Sequence, residues 1–157
     1  MTHSCQHHNC IEELKQDHQK ILGKLDELEK EAEKPIDKKK IEEFLDFTES
    51  FAEPHHQKEE QVLFPALEKK GIPNEGGPIG MMLIDHETKR GYVKKLKEGL
   101  EEGDEKKIKE NVQAIISLLR EHIFKEDNIL YPCAKGVLSE DELSVLGYQC
   151  EKIKKGL

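Results

Sequence analysis

A stretch that begins at His55, HHQKEEQVLFPAL, returns 67 residues later as HIFKEDNILYPCA from His122, with the histidine, a glutamate four residues on and an aromatic-proline pair at the same offsets. The repeat reaches back into the segments before each copy. Asp17-His18 answers to Asp85-His86, Ile11 and Ile79 each stand seven residues ahead of those histidines, and Gly23 and Gly91 each follow five residues after them. Apolar side chains in both copies recur at steps of three and four, the period of a helix with one buried face. A chain written twice in this way folds most economically as two copies of one helical hairpin.

Four amphipathic segments carry the pattern. The first places Ile11, Leu14, His18, Ile21, Leu25, Leu28 and Ala32 on one seam and ends at Pro35. The second starts after the capping residue Asp37, buries Ile41, Phe44, Leu45, Thr48, Phe51 and Ala52, is expected to kink at Pro54, and runs toward Lys70 until GIPNEGGPIG breaks it. The third holds Ile79, Met82, His86, Val93, Leu96 and Leu100 and stops near Gly103; the fourth holds Ile108, Val112, Ile115, Leu119, His122, Glu126, Ile129 and Cys133. Short links between long helices favour antiparallel neighbours, so the expected fold is all-α, an up-down-up-down four-helix bundle. Ser139 followed by Glu142 is a capping box that opens a short additional C-terminal helix, expected on the outside of the bundle. The organisation read from this is a His- and Cys-containing tail over 1–10, the bundle over 11–135, and the C-terminal helix over 136–157.

Composition removes several classes of function. Of 157 residues, 37% are charged and 5% aromatic, which suits helices with solvated outer faces and leaves little from which to build strands. The net charge of −8 disfavours a nucleic-acid partner. No apolar run approaches the roughly 20 residues of a membrane span, and the first residues are polar where a signal peptide would be apolar, so a cytoplasmic protein is expected. Cys5, Cys10, Cys133 and Cys150 form no C-x-x-C pair and are expected as reduced thiols.

The seam histidines and glutamates are the unusual feature. Burying an unpaired imidazole or carboxylate costs roughly 1 to 3 kcal/mol, and six such groups would threaten a domain whose whole stability is about 5 to 15 kcal/mol. A bound cation offsets all of them together. A histidine and a glutamate four apart lie about 40° apart on one helix face, so both can reach one centre or two adjacent ones. With His18 and His86 from the other segments, the set is His18, His55, Glu59, His86, His122 and Glu126: four imidazoles and two carboxylates, enough for two metal ions. Mixed nitrogen and oxygen donors suit iron, manganese or zinc better than calcium or magnesium.

These residues resemble the hemerythrin-like, or HHE cation-binding, domains. The resemblance runs over about 11 to 135 and rests on His18, His55-x-x-x-Glu59 ending LFP, GGPIGMMLIDHE with His86, and His122-x-x-x-Glu126 ending LYP. It implies a non-haem di-iron centre with glutamates bridging the two ions and histidines terminal, and a small ligand such as O2 or NO bound there by a carrier or sensor. The alternatives it implies are a redox or stress-response enzyme acting on NO, peroxide or damaged iron-sulfur clusters, and iron storage. One departure stands out: the second histidine that oxygen carriers supply four residues along the third helix is here Arg90. Two imidazoles per iron and a symmetric, open centre are the expectation from that change. Beside the six ligands, His56 is read as exposed or supporting unless Pro54 shifts the register and makes it a fifth imidazole. Glu60 and Asp127 are read as solvated, Phe64 and Tyr131 as core packing with a minor prospect that the Tyr131 hydroxyl reaches the centre, and Cys133 as a small core residue. The histidines and cysteines of the tail, His3, Cys5, His7, His8 and Cys10, are read as a floppy segment without ligand spacing.

Overall fold

The computed structural model describes residues 9–154, and the tail positions His3, Cys5, His7 and His8 lie outside them. Among the described residues there are five helices and no strand. α1 spans Cys10–Ala32 and is capped by Asn9, whose Oδ1 accepts from the Glu12 N–H. α2 runs over 38–69 behind the Asp37 cap, which accepts from the N–H groups of Lys39 and Lys40. α3 spans Gly77–Glu102 and stops at Gly103, held at φ +68°, where a side chain would clash with its own backbone. α4 covers 105–137 and α5 spans Glu140–Lys154. The Ser139 capping box forms as expected, with reciprocal bonds to Glu142 of 2.8 and 3.1 Å.

Side-chain pairs give the sense of each neighbour. Along α1, Glu12, His18 and Glu29 meet Lys135, Asp127 and Arg120 of α4 in descending order, and Glu13 and Lys20 meet Lys58 and Phe51 of α2. α3 meets α2 through His86 with Glu60 and Arg90 with Glu53, and α4 through Asp85 with His122 and Glu98 with Lys107. Within α1 to α4 these pairs run in opposite senses along each consecutive couple of helices.

The three prolines inside α2 and α4 each come with a local change of helix type. Each follows a single wide π-turn, at Thr48–Ala52 before Pro54, at Glu59–Leu63 before Pro65, and at Glu126–Leu130 before Pro132. Proline has no N–H to give, and the residue just before it bonds five positions back, Phe64 to the Glu59 carbonyl and Tyr131 to the Glu126 carbonyl. A π-turn holds one residue more than an α-turn, so everything after it is shifted by one position on the seam. Beyond Glu126 the buried residues are Leu130, Tyr131 and Ala134, while Ile129 and Cys133, expected inside, are exposed.

The core has three layers. One apolar cluster at the lower end holds Ile11, Leu14, Leu63, Phe64, Leu67, Ile79, Met82, Leu130 and Tyr131, and Leu143, Leu146 and Cys150 of α5 belong to it. α5 thus closes the end of the core rather than riding outside it, and Cys10 is its fully buried partner in α1 rather than part of a tail. A second cluster at the other end runs from Ile21 and Leu25 to Leu96, Ile115 and Ile123. Between them lies a buried polar layer of Asp17, His18, His55, His56, Lys58, Glu59, His86, Lys89, His122 and Glu126.

Candidate metal centre

All six residues expected as ligands meet in that middle layer, each at 1% exposure or less. They fall into two groups whose ligand atoms lie within 4.8 Å of one another: His18, His55, Glu59 and Glu126 in one, and His56, Glu59, His86 and His122 in the other. Glu59 is common to both. The carboxylates Glu59 and Glu126 each begin a π-turn, which explains why the repeat carries an aromatic-proline pair five residues after each of them. The proline maintains the wide turn, and the wide turn leaves the glutamate free of a regular helical neighbour on its C-terminal side.

Each imidazole but one is held from behind by a carboxylate on a neighbouring helix. Nδ1 of His55 meets Asp17 and Nδ1 of His122 meets Asp85, both at 3.0 Å; Nδ1 of His86 meets Glu60 at 2.7 Å and Nδ1 of His18 meets Asp127 at 2.8 Å. A carboxylate only accepts, so Nδ1 carries the proton and Nε2 is turned toward the middle of the layer. The arrangement obeys the repeat throughout: Asp17 and Asp85, and Glu60 and Asp127, are equivalent positions. Glu60 and Asp127 do rotate off the seam, but onto the flanks where α2 faces α3 and α4 faces α1, so they are half-buried partners rather than solvated charges. The paired Asp-His dipeptides were the sequence signal for Asp17 and Asp85; nothing local marked their function as supports.

The symmetry breaks at His56. It is fully buried, not exposed, and its ring lies 4.1 Å from that of His86, centroid to centroid. In a bundle the core-facing arc of a helix is wide enough for two adjacent residues to point inward, one to each neighbour. His55 turns toward α1 and His56 toward α3. The residue equivalent to His56 in the second copy is Ile123, and the residue equivalent to the buried Lys89 is Ile21. One half of the layer therefore has three imidazoles and an ammonium group, the other two imidazoles beside isoleucines. The expected symmetric centre with two imidazoles on each side is replaced by five imidazoles split three and two. Arg90 offers the layer no ligand; its half-buried guanidinium is engaged by Glu53, Glu60 and Glu87 and so stands behind the Glu60 carboxylate that holds His86.

Tyr131 is the second asymmetry. Its hydroxyl donates to Glu59 at 2.6 Å and lies 3.3 Å from both Glu126 and His18, while its repeat counterpart Phe64 stacks near His86 with no polar atom. The hydroxyl was a minor prospect from sequence and is a principal contact in the structure.

The charges of the layer are strongly perturbed. Burial would push His18 and His122 down, but the Asp127 and Glu126 carboxylates lift His18 to about 9, and Glu126 with Asp85 lifts His122 to about 10. Burial, then the neighbouring charges of His86 and Lys89, holds His56 well below the usual range and hence neutral. Burial opposes ionisation of Glu126, yet His122 beside it keeps the carboxyl well below its ordinary value, whereas burial and Glu126 raise Glu59. Burial and the two carboxylates push the Tyr131 hydroxyl up, so it stays protonated and donates.

Even with these pairings, the buried atoms without a hydrogen-bond partner concentrate here: Nε2 of His55, His86 and His122, both nitrogens of His56, Oε1 of Glu59 and Oε2 of Glu126. His86 Nε2 and Glu59 Oε1 lie 3.1 Å apart, and His122 Nε2 and Glu126 Oε2 3.3 Å, without the alignment of a hydrogen bond. Imidazole and carboxylate donors converging in this way form the mixed nitrogen and oxygen set that transition metals take and hard alkaline-earth ions do not.

The chain matches the hemerythrin HHE cation binding domain over residues 9–134 and belongs to that family. No curated protein matches it. A cation-binding site within a helical bundle is thus the class that fold and family define together. No helix among the described residues is long and apolar enough to cross a membrane.

Proposed function

We propose that the polar layer holds two iron ions and that the protein binds a small diatomic ligand, O2 or NO, beside them, as carrier or sensor. The observation that carries this is the convergence of partnerless buried atoms from four imidazoles and two carboxylates, with His18 beside them, in two adjoining groups that share Glu59. His18, His55 and Glu126 would hold one ion, His56, His86 and His122 the other, and Glu59 would touch both; manganese and zinc suit the same donors. Bound iron supplies an electron-rich position for the diatomic ligand.

The protein's own contribution is asymmetry. The half with two imidazoles has fewer donors, and the repeat gives it the apolar Ile21 and Ile123 where the other half has Lys89 and His56, which suits an apolar diatomic molecule there. The other half is filled by His56. Tyr131 holds a proton on the hydroxyl next to Glu59, and Asp17, Asp85, Glu60 and Asp127 fix the tautomers, so the layer needs little rearrangement when its ligands change. A redox or stress-response role on NO or peroxide is the second reading, favoured by the unusual burial of Lys89 in the layer, where desolvation lowers its ammonium from the ordinary lysine value and Glu53 lies 3.5 Å away.

Metal analysis with absorption spectra of the reduced protein before and after O2 or NO tests this. About two irons per chain and a ligand-dependent spectrum that reverses on removal of the gas are expected for the first reading, and irreversible oxidation with turnover of peroxide or NO for the second. Protein purified from iron-replete cells with no transition metal, and unable to take up ferrous ion, would overturn both.

A further inference from the structure

Cys10 opens α1 and Cys150 lies one turn from the end of α5, 140 residues away, yet their sulfur atoms meet at 3.6 Å with both residues at 0% exposure. Nothing in the polar layer uses them. They sit against Ile11, Leu14, Leu143 and Leu146, at the end of the core that α5 closes. Both are free thiols, and Cys133, the other described cysteine, is exposed on the surface of α4. We propose that Cys10 and Cys150 form a redox-active dithiol site that hydrogen peroxide converts to a disulfide, joining the first helix to the last.

The geometry favours closure. A disulfide needs its sulfurs about 2 Å apart, so the pair has to draw in by roughly 1.5 Å, within reach of a side-chain rotation at two helix ends. Burial favours a small oxidant: a peroxide is little larger than water, whereas a bulky disulfide reagent would have to part α1 from α5 to reach two thiols at 0% exposure. In the first step the Cys150 sulfur attacks one peroxide oxygen; an S–O bond forms, the O–O bond breaks, and the thiol proton leaves with the other oxygen as water. In the second, the Cys10 sulfur attacks the Cys150 sulfur; the S–S bond forms, the S–O bond breaks, and the Cys10 proton leaves with the hydroxyl as a second water. Two thiols are oxidised and one peroxide is reduced. The site is independent of what the polar layer binds.

The test uses the full-length protein, treated with excess hydrogen peroxide, alkylated after denaturation and mapped by mass spectrometry. A Cys10–Cys150 peptide lighter by two hydrogens, absent in Cys150→Ala and retained in Cys133→Ser, is expected. Because the link closes a very long loop, oxidation should raise the melting temperature by about 10 °C, and a thiol reductant should reverse the rise. Should Cys10→Ala or Cys150→Ala fail to fold, the map of the unaltered protein decides alone. Cys10 and Cys150 still fully alkylatable after Cys133 has been consumed, or a link from Cys10 to Cys5 instead, would overturn the proposal.

Discussion

Replacing His56 by isoleucine should stabilise the metal-free protein and weaken the metal-loaded one. Isoleucine is what the second copy of the repeat carries at the equivalent position, where Ile123 is buried at 4% exposure, so the fold already accepts it there. His56 is neutral, so the change removes no charge. It removes two buried nitrogens that have no partner. At roughly 1 to 3 kcal/mol for each unsatisfied group, reduced by some loss of ring packing against His86, the metal-free fold should gain about 2 to 4 kcal/mol. In a domain of this size that is a rise of about 5 to 15 °C in melting temperature. With metal bound the sign reverses, because an imidazole donor has been lost and the binding contribution to stability shrinks. Thermal unfolding of both proteins, with chelator and with added ferrous ion under anaerobic conditions, measures the two effects together. A lower melting temperature for metal-free His56→Ile, or an unchanged difference between loaded and metal-free forms, would refute the argument that His56 is present for a metal.

Tyr131→Phe removes the hydroxyl that donates to Glu59 and should cost about 1.5 to 3 kcal/mol in denaturant unfolding of the metal-free protein, since Phe64 shows that the ring alone fits; unaltered stability would mean that the 2.6 Å contact contributes nothing. Asp85→Asn keeps an acceptor for His122 but removes its charge, so iron affinity should fall by roughly 10- to 100-fold in competition with a chelator while the circular dichroism spectrum is retained. His18 and His122, lifted to about 9 and about 10, are protonated at pH 7 in the metal-free protein, so ferrous ion binding in weak buffer should release protons, and affinity should rise with pH. The same two pairs stabilise the metal-free fold fully below the ordinary histidine value of about 6.5, and that contribution should be lost as pH climbs through 9 to 10; a metal-free melting temperature that rises over this interval would contradict the assignment.

Much of this protein was readable along the chain because its information is periodic. Steps of three and four placed the helices, Asp37 and the Ser139 box placed two of their starts, and a duplication kept six donors at the same register in both halves, which no packing requirement alone would preserve. The failures have two physical origins. Register within a helix is a local property only while the helix stays α, and the backbone hydrogen bonds that skip a residue at Glu59–Leu63 and Glu126–Leu130 leave no mark in hydropathy; that extra residue moved Cys133 and Ile129 outside and Leu130 and Ala134 inside. Contacts between helices were equally invisible. That His56 faces α3 while His55 faces α1, that Glu60 and Asp127 reach imidazoles across a helix boundary, and that Cys10 finds Cys150 at the far end of the chain all follow from the distance and rotation of neighbouring helices, which are set by side-chain packing over the whole bundle and by no single segment of it.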